Sequence, residues 1–148
     1  MNKTQTIEKM NMIKKNHIAQ TDKVFDAIHG RKVHKPTALS HKECEFGEWL
    51  YSKNNRLRDL FGSMFFEKLE LIHEQWHKEY AKLFKILFEK QQSQSFLSKM
   101  ISSPKIDPLE IDKAKLYYSN LKETTSELLK TFELCEKRIL ALNEERFI

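Results

Sequence analysis

The chain is expected to be all-α, and three features of its sequence say so. It has only three Gly and three Pro in 148 residues, it is rich in Lys, Glu and Leu, and its apolar residues recur at three- and four-residue steps. Strand-like alternation is scarce. At this length a single domain, residues 1–148, can bury one core without needing disulfides or a metal to fold. The expected architecture is an antiparallel four-helix bundle of three long helices and one short cysteine-bearing helix.

The first helix is expected over about Thr4 to Ile28, where Ile7, Met10, Ile13, His17, Val24 and Ile28 fall near one stripe of a 3.6-residue period. Gly30 is its expected stop. From His29 to Leu39 the chain is basic and contains Gly30 and Pro36, which predicts a connecting loop. Ser40-His-Lys-Glu43 has the form of a capping box and predicts a short helix starting at Ser40, with Cys44 in its first turns. Phe46, Trp49 and Leu50 would face the core. Gly47 inside that helix signals close backbone approach, and Asn54-Asn55 an end or a kink.

A long third helix is expected from about Leu57 to Gln92, with Phe65, Leu69, Ile72, Trp76, Tyr80, Leu83 and Leu87 as its apolar stripe and His73 and His77 along one edge. The polar stretch from Ser93 to Lys105 reads as a loop. Asp107-Pro108-Leu109-Glu110 then supplies an N-cap, a proline at the first helical position and an acidic third residue. The last helix should run over about 107–144. Its seam is Leu121, Thr124, Leu128, Phe132, Cys135, Ile139 and Leu142, and the stretch from Leu128 to Leu142 suits a homodimer as well as a bundle face. No internal repeat and no second domain is seen.

Charge and composition exclude several roles. The net charge of +5 comes from 26 basic residues interleaved with 21 acidic ones, without a dense basic stripe, so nucleic-acid binding is not expected. The longest apolar run, Leu83 to Phe88, is interrupted by Lys85 and falls far short of the roughly 20 residues of a membrane helix. No membrane insertion is expected. Two cysteines, Cys44 and Cys135, without a charged-then-apolar leader, suggest a reducing cytoplasm.

Four residues with metal-binding side chains, His17, Cys44, His73 and His77, fall on the expected inner faces of three helices. Three nitrogens and one sulfur suit a closed tetrahedral zinc site. His73-Glu-Gln-Trp-His77 carries the strongest signal, because imidazoles at i and i+4 share one helical face. Cys44 adds the soft ligand that favours zinc over harder metals, and a place near a helix N-terminus should favour its thiolate. Each residue also has an ordinary reading: the histidines as hydrogen-bonded residues at or near the core, the cysteine as a small buried hydrophobe. The latter is the expectation for Cys135.

His-Glu-x-x-His is also the signature of zinc proteases, in which Glu74 would activate water. The Gly and His that extended forms need soon afterwards are absent between Lys78 and Leu83, and a cysteine would fill the position that a catalytic zinc leaves open. Glu74 is therefore expected to be a surface carboxylate. Glu70-Leu-Ile-His73 has the Glu-x-x-His form of di-iron bundles, which need two such motifs; one is present.

The run His41-Lys-Glu-Cys44-Glu-Phe-Gly47-Glu-Trp49-Leu-Tyr51, followed by His73-x-x-x-His77, resembles the chemoreceptor zinc-binding (CZB) domain family. The helix around His17 is similar to the family's first ligand helix, so the likeness covers about Lys15 to Lys82. The resemblance implies a cytoplasmic bacterial four-helix bundle that binds one zinc through three His and one Cys and regulates signalling, in chemotaxis or through cyclic-di-GMP. By matching position His17, Cys44, His73 and His77 would be the ligands, with Gly47 and Trp49 structural. His41 is the nearest rival ligand, and His34 a further one.

The family's domain is usually joined to chemoreceptors or diguanylate cyclases. This chain has neither a long Glu- and Ala-rich receptor hairpin nor a Gly-Gly-Asp/Glu-Glu-Phe signature, so it either acts in trans on such a partner or is a piece of something longer. The expectation is a non-enzymatic, zinc-responsive and redox-responsive sensor. Two alternatives stand beside it: a helical interaction protein with a static structural zinc, and a metalloprotease.

Overall fold

In a computed structural model of the protein, which describes residues 1–34, 36, 40–89 and 106–147, five α-helices and no strand are present among the described residues. Helix α1 spans Lys3–Ile28, α2 Glu45–Leu50, α3 Leu57–Phe61, α4 Ser63–Leu87 and α5 Pro108–Ala141, followed by a 3-10 turn over Glu144–Phe147. Among the described residues, no helix is long and apolar enough to cross a membrane. The all-α expectation holds.

Both ends of α1 are closed by local chemistry. Asn2 accepts from the Gln5 backbone while the Gln5 side chain accepts from the Asn2 backbone, a reciprocal box. At the other end Gly30 takes φ +73°, its N–H donates to the Ala27 carbonyl, and the Arg31 N–H donates to that of Asp26. These are the paired bonds of a Schellman ending, and glycine meets the left-handed conformation without strain. The buried stripe includes Thr6 and Thr21 beside the expected apolar residues, each hydroxyl donating to a carbonyl in the preceding turn.

Two expectations about the middle of the chain are corrected. The helix predicted to start at Ser40 begins at Glu45: residues 41–43 form a turn, and Cys44 itself is the N-cap. Ser40 and Glu43 do bond, the Ser40 N–H donating to the Glu43 carboxylate at 3.1 Å, but the bond closes the turn instead of opening the helix. The single helix predicted from Leu57 to Gln92 is broken at Gly62, where φ of +83° and ψ of 142° interrupt the spiral between α3 and α4. Its register after the break is set by Phe66, which is buried where Phe65 is only half-buried. Asn55 links the two short helices, its amide donating to the carbonyls of Trp49 and Leu50 and its oxygen accepting from the Leu57 N–H.

Helix α5 starts where predicted, with Asp107 accepting from the Leu109 N–H at 2.8 Å and Pro108 at the first position. Its seam is as expected except that Thr125, not Thr124, is buried; Thr125 accepts from the Trp76 indole at 2.9 Å. The most extensive packing is between α4 and α5, then between α1 and α5. Lys3 with Leu142, Lys14 with Glu136, and Phe25 with Tyr118 make α5 run against α1. Trp76 with Thr125 and Lys82 with Tyr117 make it run against α4 as well, and Arg138 meets Leu60 of α3. Helices α1 and α4 therefore point the same way, with His17 and His73 level with each other. Helix α4 ends at Leu87, short of the predicted Gln92; residues 90–92 of that extension, the loop expected over Ser93 to Lys105, and positions 35 and 37–39 of the loop expected over His29 to Leu39 lie outside the described residues.

Candidate metal centre

His17 comes from the middle of α1, Cys44 from the cap of α2, and His73 and His77 from successive turns of α4. The structure brings all four together. One potential ligand atom from each lies within 4.8 Å of every other, and among the described residues no carboxylate joins the group. The four residues are 6%, 9%, 0% and 9% exposed in chain order, so this is an interior cluster. His73 Nε2 is its hub, 3.2 Å from Cys44 Sγ and 3.0 Å from His77 Nε2.

These spacings are close to those around a tetrahedral ion, the two at His73 a little shorter. With metal–ligand bonds of about 2.0–2.3 Å, neighbouring ligand atoms stand about 3.3–3.6 Å apart. The hydrogen-bond inventory agrees. His17 Nδ1 is 2.9 Å from the Ile13 carbonyl, which makes that nitrogen the proton carrier and leaves Nε2 with a free lone pair. His73 Nδ1 is buried without a partner among the described residues, and the imidazole's polar contacts there are made through Nε2.

The second layer is apolar. Phe46 packs edge-on against His73 with ring centroids 4.6 Å apart and reaches Phe132 of α5 at 4.9 Å. Trp76 lies edge-on to His17 at 4.7 Å and stacks on Tyr80 at 5.2 Å. Gly47 lets the turn before α2 fold tightly over that helix; a Cβ on it would meet the His41 carbonyl oxygen at 1.9 Å. The expectation of close backbone approach at Gly47 is met.

Burial governs the charge states. It lowers the pKa of His17 against the opposing bond to Ile13, and it pushes that of His73 down to about 2, helped by the neighbouring His17, His77 and His41. The Cys44 thiol is raised, because burial outweighs the Gly47 and Phe46 N–H groups. This corrects the expectation that the helix start would favour its thiolate. A divalent cation reverses that balance by taking up the sulfur lone pair, which releases the proton.

The remaining candidates lie elsewhere. The His41 ring centroid is 6.4 Å from that of His73 and the residue is half-buried; His34 is exposed. Neither enters the cluster. Glu74 is ion-paired with Lys78 at 2.9 Å on the outer face of α4, and that contact lowers its pKa. Cys135 is fully buried in the seam, and burial pushes its thiol up to about 12.

Sequence reasoning missed the polar rim. Glu45, next to Cys44, bonds Lys9 and Asn16 of α1. Nothing in the spacing of three surface residues could have paired them.

Residues 17–84 match the family model described as the chemoreceptor zinc-binding domain. No curated protein and no solved structure gives a match.

Proposed function

We propose, on the premise that residues 17–84 belong to the chemoreceptor zinc-binding domain family, that His17, Cys44, His73 and His77 hold one zinc ion and that the chain is a regulatory module, not an enzyme. The convergence of three imidazoles and one sulfur within 4.8 Å carries the reading. Zinc, when bound, would supply the positive centre that keeps Cys44 ionised and the imidazoles neutral.

The chain's own residues supply the coupling. The ligands belong to α1, to the turn before α2 and to α4, so site occupancy changes how those elements pack. We read residues 1–148 as one cytoplasmic four-helix-bundle domain, with α5 running against α1 and α4 and the short Cys44-bearing segment in the fourth place. It would act as a homodimer or on a chemotaxis or cyclic-di-GMP signalling partner in trans.

Oxidation is a second input to the same site. Attack of the Cys44 thiolate on a peroxide forms an S–O bond as the O–O bond breaks, yielding a sulfenic acid and hydroxide and removing a ligand. The static-zinc alternative differs in having no output. Glu74, held outward by Lys78, gives the protease alternative little support.

Metal analysis of protein purified without chelator should find about one zinc per chain, and none would sink the reading. Oligomeric state and partner binding, compared with and without chelator, separate sensor from staple: a sensor changes one of them, a staple neither.

A further inference from the structure

A cavity of about 190 Å³ lies against the ligand cluster and opens to solvent on one side; His17, Cys44 and His77 line its inner wall, and Asn16, Gln20 and Glu45 contribute polar groups. Glu45 spans it. One carboxylate oxygen accepts from Lys9 Nζ at 2.5 Å and the other from Asn16 Nδ2 at 3.1 Å. Lys9 and Asn16 stand two turns apart on α1, so both oxygens are anchored to the same face of one helix.

The chain positions make this arrangement informative. Asn16 precedes His17, and Glu45 follows Cys44. The neighbours of two candidate ligands, drawn from separate elements, thus hold each other beside the pair they flank. Helix α2 has six residues and its cap is Cys44 itself, so a restraint at its first position acts directly on the sulfur.

We propose that Glu45 is a positioning residue of the metal centre: bridging Lys9 and Asn16, it holds Cys44 against α1. The inference rests on the zinc reading for its consequence, but not for its geometry. Release of Glu45 frees the cap of α2 to swing out, which exposes the sulfur to competing ligands and to electrophiles. The latch is an exposed ion pair, so salt weakens it.

The test uses the full chain. In the zinc-loaded protein, Glu45→Gln should speed zinc transfer to a chromophoric chelator about fivefold at low salt. The wild-type rate should rise with ionic strength toward that of the variant, which should itself respond little. In the metal-free protein, iodoacetamide alkylation mapped to Cys44 should speed up by a similar factor. The charge exchange Lys9→Glu with Glu45→Lys should restore slow alkylation, which a merely destabilising substitution would not do.

Unchanged transfer and alkylation in Glu45→Gln would overturn the proposal, as would failure of the charge exchange to restore slow alkylation. A chain that binds no zinc defeats the functional reading alone. The alkylation comparison then decides the role of Glu45 by itself.

Discussion

Gly47 lies directly beneath the backbone carbonyl of His41, so close that a Cβ on it would stand 1.9 Å from the oxygen. The contact is backbone to backbone, and no rotamer change can relieve it. Gly47→Ala should therefore cost about 1–3 kcal/mol of stability and shift the turn that carries Cys44. A urea midpoint and metal content equal to wild type would contradict the close approach.

Cys44→Ala should leave the helical fold and remove a ligand. If structural zinc sites are worth about 10–16 kcal/mol over four ligands, one ligand is worth about 3 kcal/mol, or roughly a hundredfold in affinity. Competition with a chelator of known affinity measures it. Cys135→Ala, buried in the seam away from the cluster, should change metal affinity little.

Acid should destabilise the metal-free protein. The pKa values of His17 and His73 are lowered in the fold, so below about 6.5 the unfolded chain binds more protons than the native one. Their contribution is whole above that pH and is lost as pH falls toward the folded values. The slope reaches at most about 1.4 kcal/mol per pH unit for a histidine that is protonated only in the unfolded chain. Denaturation midpoints at pH 7, 6 and 5 should decline, and the decline should be smaller in His73→Phe.

Thr125→Val should leave the Trp76 indole N–H without its acceptor, since Thr125 Oγ1 is 2.9 Å away and the pair is buried. The expected loss is about 1–3 kcal/mol. Tryptophan emission reports it directly, because Trp76 lies edge-on to His17 and stacks on Tyr80.

Glu74→Gln should lose only the solvent-screened pair with Lys78, leaving stability close to wild type, and retain bound metal. A peptidase activity abolished by this substitution would instead establish the protease alternative.

Helix existence was legible because periodicity is a local property: α1 and α5 begin and end within a few residues of where their caps predict. The break at Gly62 was not. Residues on either side of it continue an apolar pattern, and the left-handed turn shows itself only once Arg138 of α5, bonded to the Leu60 carbonyl, packs against that corner. Register suffered likewise, with Phe66 and Thr125 buried in place of Phe65 and Thr124, because the choice between adjacent positions belongs to the facing helix.

The candidate site divides along the same line. Residue type and spacing pointed to His17, Cys44, His73 and His77, since imidazoles four apart must share a helix face and a thiolate is the soft ligand such a set needs, and the family resemblance of the Cys44 to Tyr51 run implied the same four. Tertiary structure decided that the four converge, that His41 stays outside, that Cys44 is the α2 cap with its thiol raised by burial, and that Glu45 reaches across to Lys9 and Asn16. A chain's periodicity tells each side chain which way to face on its own helix. Distance, burial and charge state arise only when separate helices meet, and their partners lie far apart in the chain.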